Sequence, residues 1–167
     1  VVLAFTVATT LTNVNLTAAD GGDILFPAAT SYTGYNFADT TIEATGTGSR
    51  IDLSNLATFV GGGEHQSGSY PYPWHYYTTY VKALAGGEVD LAGAISHRND
   101  ITVDGAGSVL GVAGITELGG TVLTVTTPGT LTFSAATEVT DSSLTAPADV
   151  VLAFTVATTL TNVNLTA

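Results

Sequence analysis

The sequence predicts an all-β protein, a parallel β-helix (β-solenoid) with rungs of about 21 residues. Thr occurs 30 times, and no stretch keeps a helical period of about 3.6 residues, so composition and pattern both favour strands. Residues 150–167 also repeat residues 1–18 without a substitution. Such internal repeats are typical of stacked units, and parallel crossovers favour right-handed winding.

An apolar-x-apolar motif marks the first strand of each rung. The motifs begin at Leu3, Ile24, Ile51, Val89, Leu110, Leu131 and Leu152, so the last motif is the image of the first in the long repeat. Equivalent side chains of a β-solenoid stack about 4.8 Å apart. Leu110, Leu131 and Leu152 should therefore be vertical neighbours. The second residues of the motifs predict a core ladder of Phe5, Phe26, Leu53, Leu91, Val112, Phe133 and Phe154.

Two more columns and a second strand follow in each rung. The first predicted column is Ala8, Ala29, Leu56, Ala94, Ile115, Ala136 and Ala157. The next is Leu11, Tyr32, Phe59, Leu118, Val139 and Leu160, with His97 as the exception. The second strands are expected at residues 16–18, 42–44, 81–83, 101–103, 123–125 and 144–146. Gly-rich segments then form the corners, because Gly adopts positive φ without steric cost.

The long repeat defines the expected domain organisation. We expect a single segment over residues 1–167, made of one tandem unit (1–149) and the beginning of the next unit (150–167). The chain begins with Val1-Val2-Leu3 and shows no signal peptide, so a piece or a processed product of a longer protein is expected.

Composition excludes several functional classes. The net charge of -11 leaves no basic surface for phosphates, so we expect no nucleic-acid partner. No apolar run approaches the roughly 18 residues of a membrane span. The absence of Cys excludes disulfides and thiolate sites.

Three segments resemble rungs of giant repetitive bacterial surface and adhesin proteins: GTGSRIDLSNLATFVGG (46–62), GGEVDLAGAI (86–95) and GAGSVLGVAGITELGG (105–120). The resemblance extends over nearly the whole chain. It implies a secreted protein in an extracellular or cell-surface filament, with a structural or adhesive role. It supplies no catalytic motif.

Two insertions interrupt the repeat at the same corner of neighbouring rungs. The longer one, residues 61–80, holds the only Trp and five of the seven Tyr. Insertions of repeat proteins often lie on the binding face, and Tyr and Trp are preferred there. The rings could bind a protein partner or stack on a glycan, or they could fold back onto the chain's own corner. The predicted contact patch is Tyr32, Tyr35, Phe37, Tyr70, Tyr72, Trp74, His75, Tyr76 and Tyr77.

Other polar groups give weaker signals. His65, His75 and His97 share the corner with acidic residues but lack the spacing of a metal site, so no metal is predicted. Asp52 and Asp90 take equivalent outward positions, where solvation or a calcium ion could relieve their repulsion. Asn15 and Asn164 begin Asn-Leu-Thr glycosylation patterns, which are frequent in Thr-rich chains.

The leading functional hypothesis is a non-catalytic structural protein, a segment of a tandem array that assembles end to end with itself. An adhesin or glycan-binding solenoid that uses the predicted contact patch is the alternative. An enzyme is disfavoured because only three cations are present and no acidic triad aligns over three rungs. An ice-binding face is disfavoured because the outward column Thr10, Ser31, Thr58, Ser96, Glu117 and Glu138 carries charge. No cofactor is expected beyond the calcium mentioned above.

Overall fold

The computed structural model describes residues 1–68 and 73–167. Those residues form 21 β-strands and no helix, which confirms the predicted all-β class. Most strands are short because Gly, Pro, Asn and Asp interrupt the runs of Thr, Val and Leu at regular intervals.

The strands form two large sheets and two separate pairs. The first sheet contains β1 (Val2–Ala4), β2 (Thr10–Thr12), β4 (Asp23–Leu25), β5 (Ser31–Thr33), β7 (Arg50–Leu53), β8 (Thr58–Val60), β12 (Glu88–Ser96), β14 (Val109–Gly119), β17 (Glu138–Thr140) and β20 (Thr159–Thr161). The second contains β3 (Leu16–Ala19), β6 (Thr40–Thr45), β11 (Thr79–Leu84), β13 (Asn99–Asp104), β15 (Thr121–Val125), β18 (Ser143–Thr145) and β21 (Asn164–Thr166). The pairs are β9 (Glu64–Gln66) with β10 (Trp74–Tyr76), and β16 (Gly129–Phe133) with β19 (Val150–Phe154).

The second sheet is parallel throughout, and its strands follow one another in chain order. Register partners run through Leu16, Ile42, Val81, Ile101, Leu123, Leu144 and Leu165. These are the second strands that the sequence predicts. Their inward side chains alternate with outward Thr, Glu and Lys, as the two-residue period of a half-buried strand requires.

The first sheet is also parallel, and it corrects the predicted column that contained His97. Ile95, not His97, pairs with Phe59 on one side and Leu118 on the other. Ala94 pairs with Thr58 and Glu117, so it replaces Ser96 in the outward column, while Gly93 pairs with Ile115. The cause is a shift of register along β12, whose Gly93 has φ +81°. A Cβ on Gly93 would lie 2.4 Å from the backbone of Ala57.

Side chains from both sheets form one hydrophobic core, and its aromatic residues stack in pairs. The ring centroids of Phe5 and Phe26 are 4.9 Å apart, and those of Phe133 and Phe154 are 4.4 Å apart. Leu53 and Leu91 are direct register partners, and Val112 is buried. Phe5 is 46% exposed.

The first sheet continues from β14 to β17, but the strand between them in sequence, β16, is not part of it, and we call the gap between β14 and β16 the seam. Leu131 and Leu152 are register partners, in line with their predicted stacking. β16 pairs only with β19, so Leu110 and Leu131 are not register partners, although both line the same cavity. The turn residues also change at the seam. Ser49 and Ser108 each accept a hydrogen bond from a backbone N–H of an earlier turn, at 3.0 Å. The equivalent of Ser108 in the following rung is Gly129, which has no hydroxyl and is preceded by Pro128, which has no N–H.

A column of buried polar side chains lies at one end of the second sheet's strands. Thr40, Thr79, Asn99 and Thr121 are successive register partners, and each is at most 2% exposed. The hydroxyl of Tyr32 donates to Thr40 Oγ1 at 3.1 Å, and Thr40 and Thr79 share a hydrogen bond of 2.8 Å. Tyr32 therefore joins the two sheets by a polar contact.

Replacing Tyr32 with Phe tests this contact. We expect Tyr32→Phe to lower the free energy of unfolding by about 1–2 kcal/mol at neutral pH, because Thr40 loses a buried partner. Burial raises the pKa of the Tyr32 phenol, and this outweighs the lowering effect of its hydrogen bonds to Thr40 and Thr79. Wild type should then lose stability as pH rises above about 10, where the unfolded chain ionises first. Urea denaturation between pH 8 and 11 measures the gap between the variants, which should shrink with rising pH. A gap that stays constant would contradict the assignment, and Tyr35→Phe is the exposed control.

Candidate functional site

The longer insertion forms an antiparallel hairpin that projects from the corner between the two sheets. In the hairpin, Tyr77 N–H donates to Gly63 O at 2.9 Å, and β9 and β10 place His65 opposite His75. The base is tight. A Cβ on Gly62 would lie 2.2 Å from Tyr77 O. The two arms of the hairpin can therefore approach this closely only because residue 62 is Gly.

Aromatic rings from both insertions gather on this hairpin, and we call Tyr35, Phe37, His65, Trp74 and Tyr76 the aromatic corner. Tyr35 and Phe37 belong to the shorter insertion. The ring centroid of Phe37 is 5.4 Å from that of Tyr35 and 4.2 Å from that of His65 in the hairpin. Phe37, Trp74 and Tyr76 remain 54%, 52% and 53% exposed. The two insertions therefore touch each other, as the sequence predicts for neighbouring rungs, yet they leave ring surface in contact with solvent.

The remaining residues of the predicted contact patch divide into three groups. Tyr32 is fully buried and stacks on Phe59 at 4.6 Å, so its place in a surface patch is wrong: it fills the column between Leu11 and Phe59. His75 is exposed and Tyr77 is partly buried, both on the hairpin. Tyr70 and Tyr72 lie outside the described residues.

Arg98 is a member of this surface that the sequence did not reveal. Its guanidinium lies 4.1 Å from the centroid of the Tyr76 ring, a cation–π contact that ties the hairpin to the loop before β13. The only signal in the sequence was that Arg98 is a basic residue directly after His97, in the rung next to the longer insertion. Pairing it with Tyr76 required the register of the hairpin.

Beside the hairpin runs an open groove of about 1040 Å³. Backbone of Gly61–Gly63 and of Gly119 and Gly120 lines it, together with polar side chains. The described side chains that contribute polar groups include Asn36, Glu64, Tyr80, Arg98, Asp100, Asp141 and Asn162. Its charged lining side chains are the carboxylates of Glu64, Asp100 and Asp141 and the guanidinium of Arg98, so the groove is acidic on balance.

The floor of the groove is a corner where the chain adopts left-handed backbone conformations. Each of these left-handed residues follows the inward column that begins with Leu11 by two positions. They have φ between +49° and +67°, and they are Asn13, His97, Gly120, Asp141 and Asn162. Asn162 Nδ2 donates to Asp141 Oδ1 at 2.7 Å along this line. At the two rungs with insertions, Gly34 and Gly61 stand at this point instead. The position of His97 at a turn explains why it does not occupy the apolar column.

His65 and His75 are register partners in the hairpin, and His97 lies apart from them at its turn. His65 packs on Phe37, His75 is exposed, and the ring of His97 bonds the Ser96 hydroxyl at 3.1 Å. Across residues 1–68 and 73–167, no group of three or more His, Asp or Glu side chains is placed to hold a metal ion.

Arg50 is the cation between the acidic side chains on the outer face of the first sheet. Asp52 and Asp90 are register partners. The Arg50 guanidinium lies 3.1 Å from Asp52 Oδ2, and its Nε donates to Glu88 at 3.2 Å and to Asp90 at 2.9 Å. Burial alone would raise the pKa of Asp52, but hydrogen bonds from Ser54 and the charge of Arg50 outweigh burial and lower that pKa. The sequence suggested calcium or solvent at this place, and the structure puts a guanidinium there.

The lowered pKa of Asp52 predicts a pH-dependent contribution to stability. Because the carboxylate is stabilised in the folded state, its contribution is present at neutral pH and disappears as pH falls below about 4, through the lowered pKa. We expect Asp52→Asn to be less stable than wild type by about 1 kcal/mol at pH 7, with the difference vanishing in acid. Denaturant titrations from pH 7 to pH 2.5 measure it. In an Arg50→Gln background the difference should be smaller, and an unchanged difference would argue against the ion cluster.

No protein family, curated protein or solved structure matches this chain. Within the described ranges, the chain has no helix with the length and hydropathy needed to cross a membrane.

Proposed function

We propose that this chain is a β-solenoid segment of an extracellular or cell-surface filament, a non-catalytic structural protein that assembles end to end with itself. Three features support the solenoid: parallel strands paired in chain order, in-register columns, and a core shared by the two large sheets. Each turn of the proposed solenoid is called a coil below. Residues 1–18 form the first coil and residues 150–167 the seventh.

The observation that carries the proposal is that the two copies of the repeated sequence use opposite sides. The first copy pairs with the coil that follows it, through Leu3–Ile24, Leu11–Tyr32 and Leu16–Ile42. The last copy pairs with the coil that precedes it, through Leu131–Leu152, Val139–Leu160 and Leu144–Leu165. A coil of this sequence therefore has contacts for both neighbours, which suits the interior of a continuous array.

The polar clusters support a structural role rather than catalysis. Arg50 is held by three carboxylates, Lys82 lies 3.6 Å from Glu43, and Arg98 rests on Tyr76. Each cationic side chain thus links neighbouring strands or loops. None of these contacts places a nucleophile beside a base, as covalent catalysis would need.

Electron microscopy of the purified chain at high protein concentration tests the proposal. We expect unbranched filaments one chain wide, with strands perpendicular to the long axis and a spacing of about 4.8 Å along it. Light scattering should show a mass that rises with concentration. A monodisperse monomer at all concentrations would contradict assembly, and a fibre diffraction pattern without the axial spacing would contradict the solenoid.

Glycan binding at the aromatic corner is the second candidate, and one observation favours it. Trp74 and Tyr76 are half-exposed, and Arg98, whose guanidinium lies over the Tyr76 ring, lines the polar groove beside them. Exposed rings near hydroxyl-binding groups are what sugar recognition uses. An immobilised panel of neutral and acidic oligosaccharides would test it. Binding should be lost in Trp74→Ala while the thermal midpoint stays unchanged, and an equal response from wild type and variant would exclude this surface.

A further inference from the structure

We propose that the two ends of this chain bind each other like on like: residues 1–18 of one copy pair in parallel and in register on residues 150–167 of a second copy. The inference rests on the proposed function, because it specifies how two units meet. The occupant of each exposed end is therefore a second copy of this chain, and the contact unites two sets of strands with identical sequence.

The exposure of equivalent residues shows which surface each end offers. Leu11 is 5% exposed and Leu16 is 6% exposed, whereas their equivalents Leu160 and Leu165 are 60% and 63% exposed. At the other end, Leu3 is 51% exposed, and its equivalent Leu152 is partly buried against the core. Residues 150–167 thus expose apolar side chains whose equivalents in residues 1–18 are buried, and residues 1–18 expose Leu3, whose equivalent in residues 150–167 is partly buried. Joining the ends would cover both sets.

Charge also directs the contact to the ends. The 14 acidic and 3 basic side chains of the sequence all lie between residues 19 and 149, and residues 1–18 and 150–167 contain none. Natural edge strands are usually protected from pairing by charged side chains. With a net charge of -11, copies repel each other elsewhere, so the uncharged ends are where two copies can approach.

Identical coils can continue the contacts already present at each end. Phe5 and Phe26 stack with an interplanar angle of 12°, and Phe133 and Phe154 stack at 9°. Placing Phe5 on Phe154 would join the two pairs into one stack of four rings. Asn13 would lie on Asn162 and Asn15 on Asn164, and ladders of identical Asn side chains stabilise parallel, in-register strands.

A second arrangement would preserve the columns as well: residues 1–18 of one copy could displace residues 150–167 of another. Displacement exchanges one set of contacts for an identical set and leaves residues 150–167 unfolded. Stacking keeps every contact and adds a new coil–coil interface, so it is the more favourable of the two. With seven strands per copy in the second sheet, stacking gives an axial repeat of about 34 Å, and displacement leaves six and gives about 29 Å.

Cysteine cross-linking decides between these arrangements, because the chain has no Cys of its own. Stacking puts Ala4 of one copy opposite Ala153 of the other, at about 4.8 Å between Cα atoms, which a disulfide can span. Displacement puts Ala4 opposite Thr132, the register partner of Ala153. We would mix single variants Ala4→Cys with Ala153→Cys, and separately Ala4→Cys with Thr132→Cys, under mild oxidation. The double variant Thr132→Cys/Ala153→Cys, which should close within one chain, is the control for geometry.

The expected result is a 4–153 cross-link that exceeds the combined 4–4 and 153–153 products, identified by mass spectrometry, and an axial repeat of about 34 Å in filaments. A dominant 4–132 cross-link with a repeat of about 29 Å would overturn like-on-like stacking and leave the proposed function intact. Filaments with only same-site cross-links would also overturn it. If neither filaments nor mixed cross-links form while the control closes, both the inference and end-to-end assembly are wrong.

Discussion

Phe133→Ala should destabilise the protein by about 3–5 kcal/mol, the range typical of deleting a buried aromatic ring. Phe133 is 1% exposed and stacks on Phe154 at 4.4 Å. Its strand, β16, is the one that lacks a paired neighbour toward β14. No ladder therefore holds β16 on β14, and side-chain packing has to hold β16 and β19 against the core, whereas β17 and β18 are paired with β14 and β15.

Denaturant unfolding monitored by circular dichroism measures this effect, and Phe37→Ala is the matched control. Phe37 is 54% exposed, so its removal should cost less than about 1 kcal/mol. Hydrogen exchange adds a second readout: in Phe133→Ala, amides of β19 and β20 should exchange faster than those of β6 and β11. Equal losses for both Phe variants would mean that the ring at position 133 does not pack as described.

Gly120→Ala should cost about 3 kcal/mol, since it combines two kinds of strain. Gly120 has φ +58°, and a Cβ at this position would lie 1.9 Å from the carbonyl oxygen of His97. The contacted atom is backbone and cannot rotate away. The strand after it, β15, begins at Thr121, so a shift at residue 120 would also disturb the buried column that contains Thr121.

His97→Ala is the control for Gly120→Ala, because His97 takes the equivalent corner position with φ +67° and already carries a Cβ. It should change stability by less than about 0.5 kcal/mol. Thermal unfolding of both variants measures the contrast. Comparable midpoints would show that the close approach of Gly120 to His97 is not a constraint on the fold.

Much of the fold follows from the sequence because stacked strands repeat the same requirement. The motif Leu16-Thr17-Ala18 and its equivalents predict every strand of the second sheet, since each must bury the same two positions. The prediction fails where the number of residues per rung changes. Ile95 takes the position expected for His97, because the stretch from Val89 to Ile95 is shorter than its equivalent from Leu110 to Leu118. A fixed spacing cannot detect such a shift.

The candidate site was only partly predictable for a related reason. Tyr and Trp in an insertion indicate a surface, but the side that each ring faces depends on register. Tyr32 turns inward because it precedes the insertion and belongs to a strand. Arg98 meets Tyr76 only because the hairpin folds back over the loop that carries Arg98. Contacts between residues far apart in sequence leave no local pattern from which they could be predicted.

The seam between β14 and β16 gives the proposed filament unequal sides. On the side of the second sheet, backbone hydrogen bonds link β13, β15 and β18 without a gap. On the side of β16, a cavity of about 150 Å³ takes the place of a paired ladder. Because β16 pairs only with β19, flexing that widens this cavity stretches no β14–β16 ladder. The proposed filament should therefore be most compliant in that one direction and curve away from the seam under load.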